Sequence, residues 1–259
     1  MSAKHGTGYT MGFAAAVCLV CSVFVCLSAV ALKDMQEENK KLDKQKNVLK
    51  AAGMLAADED ADAAKISELY KNIQPLVIDV KSGEVKKDVD AASINMRMAV
   101  SDNSKSFKAP ANDAKVLRIP NEAVVYQVME GEMPTMLIFP ISGKGLWSTL
   151  YGFLAVDVDT TTVKGVSFYE HGETPGLGGE IENPKWTALW KDRKLFDQSF
   201  QPAFKVVKGI AGSPADAPHE VDGLSGATLT CKGVTALVNF WIGKDGFGPF
   251  LENFRKGGI

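Results

Sequence analysis

Residues 11–32 form an uninterrupted apolar run without a charged side chain. Its length is roughly the 20 residues that a helix needs to cross a bilayer. The pattern then changes abruptly. Residues 33–52 are rich in charge and read as a helix continuing out of the apolar segment. Met35, Leu42, Leu49 and Ala56 recur every seven residues, but other apolar positions are too sparse for a coiled coil, so a solvated stalk helix is expected. Ile66, Leu69, Tyr70 and Ile73 follow i, i+3, i+4, i+7 and predict a second helix over about 62–72, stopped by Pro75. Residues 76–80 read as a strand, with a turn at Ser82 and Gly83. Residues 86–113 are polar and aperiodic, and read as an insertion or a mobile surface loop.

Strand patterns dominate from Lys115 onward. Residues 124–129 and 136–139 predict paired strands around Gly131 and Glu132, and residues 151–158 and 163–169 predict a second hairpin. A helix is expected over 186–195, a strand over 204–207 and a final helix from Thr228 through an apolar run ending at Trp241. Strands grouped before helices indicate an α+β fold. No GxGxxG follows a strand, so a dinucleotide-binding fold is not supported. The expected organisation is a short tail (1–10), a transmembrane helix (11–32), a stalk and first soluble part (33–114) and a principal domain (115–259) with an antiparallel-rich sheet and flanking helices.

The 259 residues carry 29 Lys and Arg against 31 Asp and Glu, so the footprint of a nucleic-acid binder is absent. The acidic run Asp58, Glu59, Asp60 and Asp62 reads as a solvated helix start. Of the cysteines, Cys18, Cys21 and Cys26 lie in the apolar segment and read as small hydrophobes. Cys231 alone lies in the polar part, where it reads as a core residue. His5, His171 and His219 show no zinc-ligand spacing.

The apolar segment has two readings. Lys4 and the sequence Ala29-Val30-Ala31 imitate a signal peptide and its cleavage site. The run exceeds the roughly 7–15 residues of a signal core, which favours a retained anchor. Orientation is in conflict. Lys33, Lys40, Lys41, Lys44, Lys46 and Lys50 follow the segment, which a simple positive-inside count places in the cytoplasm, although long domains translocate largely regardless of charge.

The chemistry concentrates in two stretches. Asp222-Gly223-Leu224-Ser225-Gly226-Ala227-Thr228 runs directly into the final helix. A helix start offers free N–H groups and a positive dipole end, which suits a phosphate, and Gly226 permits a positive φ. The plain alternative is an ordinary cap by Ser225 or Thr228. The loop Glu173-Thr174-Pro175-Gly176-Leu177-Gly178-Gly179 has little side-chain bulk and can receive a flat ring, or can be a simple turn. Trp147, after Gly143-Lys144-Gly145-Leu146, is a candidate to stack on or wall off such a ring, or a core residue. Lys208 and Lys232 are candidates to offset a phosphate charge, or plain solvated lysines.

The first stretch resembles the flavinylation motif of FMN-binding domains, and His171 to Glu180 resembles their second signature. Together with Glu182-Asn183-Pro184-Lys185-Trp186 and the tail Gly246-Phe247-Gly248-Pro249-Phe250-Leu251, the chain resembles the NqrC family, a component of sodium-translocating NADH:quinone reductases. The resemblance is weakest over about 85–114. It implies FMN esterified through its phosphate to Thr228, with Ser225, Gly226, Ala227 and Asp222 belonging to the attachment signal. It makes Glu173, Thr174, Gly176, Leu177 and Gly178 part of a flavin-binding signature; Trp147 and Lys208 join them as cofactor candidates on their own positions, and no metal is expected. It further implies an electron-relay subunit, not catalytic alone, anchored by a single pass in the bacterial inner membrane with a periplasmic flavin domain. The implied partners are a membrane subunit bearing FMN or riboflavin, iron–sulfur membrane subunits, the NADH-oxidising FAD/iron–sulfur subunit, a flavin transferase and membrane lipid, with no nucleic acid. Rival readings are the equivalent subunit of an ion-pumping ferredoxin:NAD oxidoreductase, an anchored binding module without redox work and a free-standing flavoenzyme.

Overall fold

The computed structural model describes residues 6–56 and 58–257; Lys4 and His5 lie outside them. The chain divides into two compact units, Met1–Lys44 and Gln45–Ile259.

The first unit holds helix α1 (Thr7–Ala31), none of whose residues is buried, and the exposed part of α2 (Lys33–Ala51). At 1.5 Å per residue, the 25 residues of α1 extend about 37 Å, enough to span a hydrocarbon core of about 30 Å. Its apolar side chains face outward all round, as a helix in lipid requires.

The second unit is built on a five-stranded antiparallel sheet. Helix α3 (Ala63–Tyr70), capped by Asp62 accepting from the Lys65 N–H, leads into β1 (Ile73–Asp79). Pro75 lies inside β1 and does not stop the helix, which ends at Tyr70. A missing N–H is tolerated because β1 is an edge strand. Strands β4 (Glu122–Glu130), β5 (Met133–Lys144), β6 (Thr149–Asp157) and β7 (Val163–Glu170) follow as a meander with the two hairpins expected from the sequence. Because β1 pairs with β4, the compact unit begins well before Lys115.

The polar stretch 86–113 is not a bare loop. It contains α4 (Met96–Ala99), capped by Asn95, and β2 (Ser106–Lys108), which pairs with β3 (Arg118–Pro120). Its polar residues serve as caps and ties rather than as a periodic face. The Arg118 guanidinium donates to Ser106 Oγ and O at 2.8 and 2.7 Å. Arg97 lies 3.7 Å over the Tyr151 ring and 2.8 Å from Glu170.

Alternation along the strands gives the sheet two buried faces. On one, Leu137, Phe139 and Ile141 meet α6 (Thr228–Ile242), whose Val234, Leu237 and Val238 are fully buried. The Trp241 indole N–H donates to Ser142 O at 2.6 Å. On the other face, the end of α2 buries Val48, Leu49 and Ala51. The Ala51 carbonyl lies against Gly165, and Asn47 Oδ1 accepts from Ser167 Oγ at 3.1 Å.

The helix expected over 186–195 is shorter. It comprises α5 (Pro184–Thr187) and one 3-10 turn ending at Trp190. The chain reverses at Asp192, with φ of 65°, because residues 193–195 are recruited as an extended segment along the edge of β7. Strand β8 (Lys205–Val206) pairs in parallel with β9 (Glu220–Val221). The tail becomes α7 (Gly248–Arg255), with Phe247 and Phe250 buried against Phe139.

Candidate functional site

Thr228 is the first residue of α6, and its side chain is exposed. The N-cap is Ala227, without a side-chain capping bond, so neither Ser225 nor Thr228 acts as an ordinary cap. Gly226 has φ of +71°, and a Cβ there would stand 2.8 Å from Leu177 Cδ2. Glycine therefore answers both a backbone and a packing requirement.

The turn before α6 is pinned from behind. Gly223 N–H donates to Gly209 O at 2.8 Å, Leu224 N–H to Cys231 Sγ at 3.3 Å, and the Trp186 indole N–H to Asp222 O at 2.8 Å. Asp222 Oδ1 accepts from the Ala211 N–H at 2.9 Å. The carboxylate thus ties the turn to a distant loop rather than bracing its own following backbone, as an Asx turn would. Cys231 is buried, as expected, and burial pushes its thiol up.

The loop 173–179 closes on itself through the N–H groups of Leu177 and Gly179, both donating to Thr174 O, with Gly176 at φ of +75°. Glu173 is 5 % exposed. Its Oε1 accepts from the N–H groups of Trp147 (2.9 Å) and Ser148 (3.3 Å). Its Oε2 accepts from the Thr230 hydroxyl (2.5 Å) and the Leu146 N–H (3.2 Å). Gly145 and Gly178 leave room for this arrangement, since a Cβ at either would fall within 3 Å of a Glu173 oxygen.

Burial opposes ionisation of Glu173, but the Thr230 hydroxyl and the three amides outweigh it and hold the carboxyl below its ordinary value. A carboxyl depressed in the folded state stabilises the fold fully above its unfolded pKa, about 4.3, and loses that contribution as pH falls through the lower folded value. Thermal melts of the chain are therefore expected to lose stability below about pH 4.3, with Glu173→Gln losing less over the same range. Parallel acid dependence in the two proteins would remove Glu173 as the cause.

The Glu173 bonds join residues 146–148 and the loop 173–179 to Thr230 of α6, and Leu177 packs at Gly226 of the turn 222–228. Trp147 is 66 % exposed and Leu177 43 % exposed, so neither is a core residue. Lys208 is exposed next to Gly209, at the flank of the turn, and Lys232 is exposed one helical turn beyond Thr228. Among the described residues no cluster suited to a metal ion occurs. Exposed apolar side chains beside a helix start with an unmasked hydroxyl and lysines nearby fit a flat aromatic cofactor with a phosphate tail.

Sequence reasoning did not place Thr230, Trp186 or His171 among the site residues. Thr230 had a signal: it falls on the buried face of α6, where a hydroxyl needs a partner. His171 Nδ1 accepts from the Glu173 N–H at 3.2 Å, while its buried Nε2 has no hydrogen-bond partner and lies 3.6 Å from Glu182 Oε2.

Residues 145–243 match the FMN-binding domain family. The chain is 46% identical to the C component of the Na(+)-translocating NADH-quinone reductase of Vibrio parahaemolyticus, covering 96% of each chain. It is 45% identical to the Pseudomonas aeruginosa protein of that name, covering 99% of each. Among solved structures it resembles Shewanella oneidensis NqrC with a TM-score of 0.75 and 36% identity, over 84% of this chain and 99% of that one. The corresponding Parabacteroides distasonis protein gives 0.64 and 26%, over 85% and 96%. With the anchor-length helix, the antiparallel sheet and the cradle at the start of α6 in place, the chain belongs to the NqrC family, the C component of Na(+)-translocating NADH-quinone reductases.

Proposed function

We propose that this chain carries FMN esterified through its phosphate to the Thr228 hydroxyl and relays electrons within a membrane NADH:quinone reductase that exports sodium. The observation that carries the attachment is an exposed threonine at a helix start which caps nothing. Bound FMN supplies one- and two-electron redox chemistry, so the chain needs no acid, base or nucleophile of its own. The first turn of α6 presents backbone N–H groups and the positive end of its dipole to a phosphodiester on Thr228, and Lys208 and Lys232 add positive charge at its flank. Leu177 and Trp147 provide apolar walls, and the Thr174 hydroxyl provides a polar contact at a ring edge. Ser225, Gly226, Ala227 and Asp222 shape the turn that a flavin transferase reads. The partners are the NADH-oxidising subunit, the iron–sulfur and flavin-bearing membrane subunits, and lipid around α1. The full-length relatives bear the name of the NADH-quinone reductase component, which supports this reading over the ferredoxin:NAD counterpart.

Intact-mass measurement of the chain from its native host tests the attachment: the mass is expected to exceed that of the sequence by FMN minus water. A chain at the bare sequence mass would refute it.

We further propose a periplasmic flavin domain on a single-pass anchor, a reading that follows the family resemblance against the charge count of the lysines after residue 32. Protease added to spheroplasts is expected to cleave the second unit of the intact chain. Cleavage in inverted vesicles alone would reverse the orientation, and a mature N-terminus near Leu32 would make the segment a signal peptide.

A further inference from the structure

We propose that Glu173 and Thr230 are positioning residues of the cofactor site, forming a buried anionic latch that joins loop 145–148, loop 173–179 and the start of α6 and biases the site against accepting an electron. The inference rests on the FMN reading for its redox part and on geometry alone for its structural part.

A carboxylate offers about four acceptor sites. Those of Glu173 meet four donors: the Trp147, Ser148 and Leu146 amides and the Thr230 hydroxyl. No capacity remains for a cofactor N–H, so Glu173 acts through the groups it holds rather than by direct contact. Those groups are the frame of the site. The three amides carry the loop that displays Trp147. The Glu173 backbone begins the loop that displays Thr174 and Leu177. Thr230 lies two residues beyond Thr228, on the opposite, buried side of the same helix turn. One side chain therefore sets the spacing between the apolar walls and the attachment hydroxyl.

The latch also leaves a formal negative charge in a buried position. Charges interact more strongly where water is excluded, so a fixed anion here opposes the arrival of a further electron. Thr230 and the amides are neutral and do not cancel it. The Lys144 ammonium donates to Trp147 O at 2.9 Å on the exposed side of the loop, where water and salt screen it. Glu182, beside His171, is itself acidic.

The test uses the full chain, produced with its maturation machinery, as wild type, Glu173→Gln, Thr230→Val and Thr230→Ser. Amide hydrogen exchange at Leu146, Trp147 and Ser148 is expected to quicken about tenfold in Thr230→Val, since a hydrogen bond to a charged group is lost, and to recover in Thr230→Ser. Covalent flavin per chain is expected to fall in Thr230→Val and to recover in Thr230→Ser. Glu173→Gln is expected to raise the midpoint potential of whatever flavin is attached, while Thr230→Val, which keeps the charge, moves it less. Unchanged exchange and unchanged loading in Thr230→Val would overturn the latch. An unchanged potential in flavin-bearing Glu173→Gln would overturn the electrostatic part. Absence of FMN from the wild type would instead defeat the cofactor reading, and the exchange experiment would still decide the latch.

Discussion

Thr228→Ala is expected to abolish covalent flavin while leaving the fold intact. The hydroxyl is exposed and caps nothing, so its loss should change stability by no more than about 0.5 kcal/mol. Binding by the cradle alone cannot replace an ester through denaturation, so flavin fluorescence should vanish from the band in a denaturing gel. Thr228→Ser keeps an oxygen at the same place and is expected to retain part of the label. In the assembled reductase, the alanine variant should oxidise NADH with artificial acceptors at close to the normal rate. Quinone reduction and sodium transport should fall by orders of magnitude, because a relay without its carrier interrupts the path. Normal quinone reduction by a flavin-free variant would remove this chain from that path.

Trp190→Ala is expected to give the largest loss of stability of any single truncation in the second unit. Trp190 is fully buried, with its ring 4.4 Å from Phe204, 5.5 Å from Trp186 and 6.1 Å from Phe168 between centroids. Emptying a site of that size costs about 3–5 kcal/mol. The damage reaches the cofactor site, because Trp186 leans on Trp190 and holds Asp222 O through its indole N–H. Denaturant unfolding should show a lower midpoint, and flavin loading should fall with it. Trp190→Phe should cost much less, since the Trp190 indole N–H is buried without a partner and its removal relieves an unsatisfied donor. A denaturant midpoint for the alanine variant within error of the wild type would place the core elsewhere.

The sequence made the large periodic elements legible. The run 11–32, the two hairpins and the last long helix each carry their pattern in their own side chains. Elements decided by distant partners were not legible in this way. Residues 193–195 follow a helical stretch, yet the open edge of β7 draws them into extended form. In the stretch 86–113, Asn95, Ser106 and Arg97 work as a cap, a tie and a clamp, none of which leaves a periodic trace. The cofactor site divides along the same line. Thr228, Gly226 and Gly176 stood out because a helix start or a positive φ restricts the residue type. The environment of Glu173 did not, because its four donors come from two other segments.

The two borders of the five-stranded sheet bear on how fragments of this chain behave. The start of β7 is screened by residues 192–195, bonded through Val163 and Thr161. Strand β1 is screened at its far end by the Ile78–Val85 bridge and the Lys86 N–H to Val77 O bond, while Pro75 removes a donor nearer its start. A fragment trimmed to residues 145–243 would discard β1, β4 and all of β5, baring one flank of β6 along its whole length. Such a bare flank is a template for strand addition, and the fragment should self-associate into sheet-rich particles. A recombinant piece that starts at Gln45 retains both screens, the end of α2 and every strand paired as it is in the whole chain.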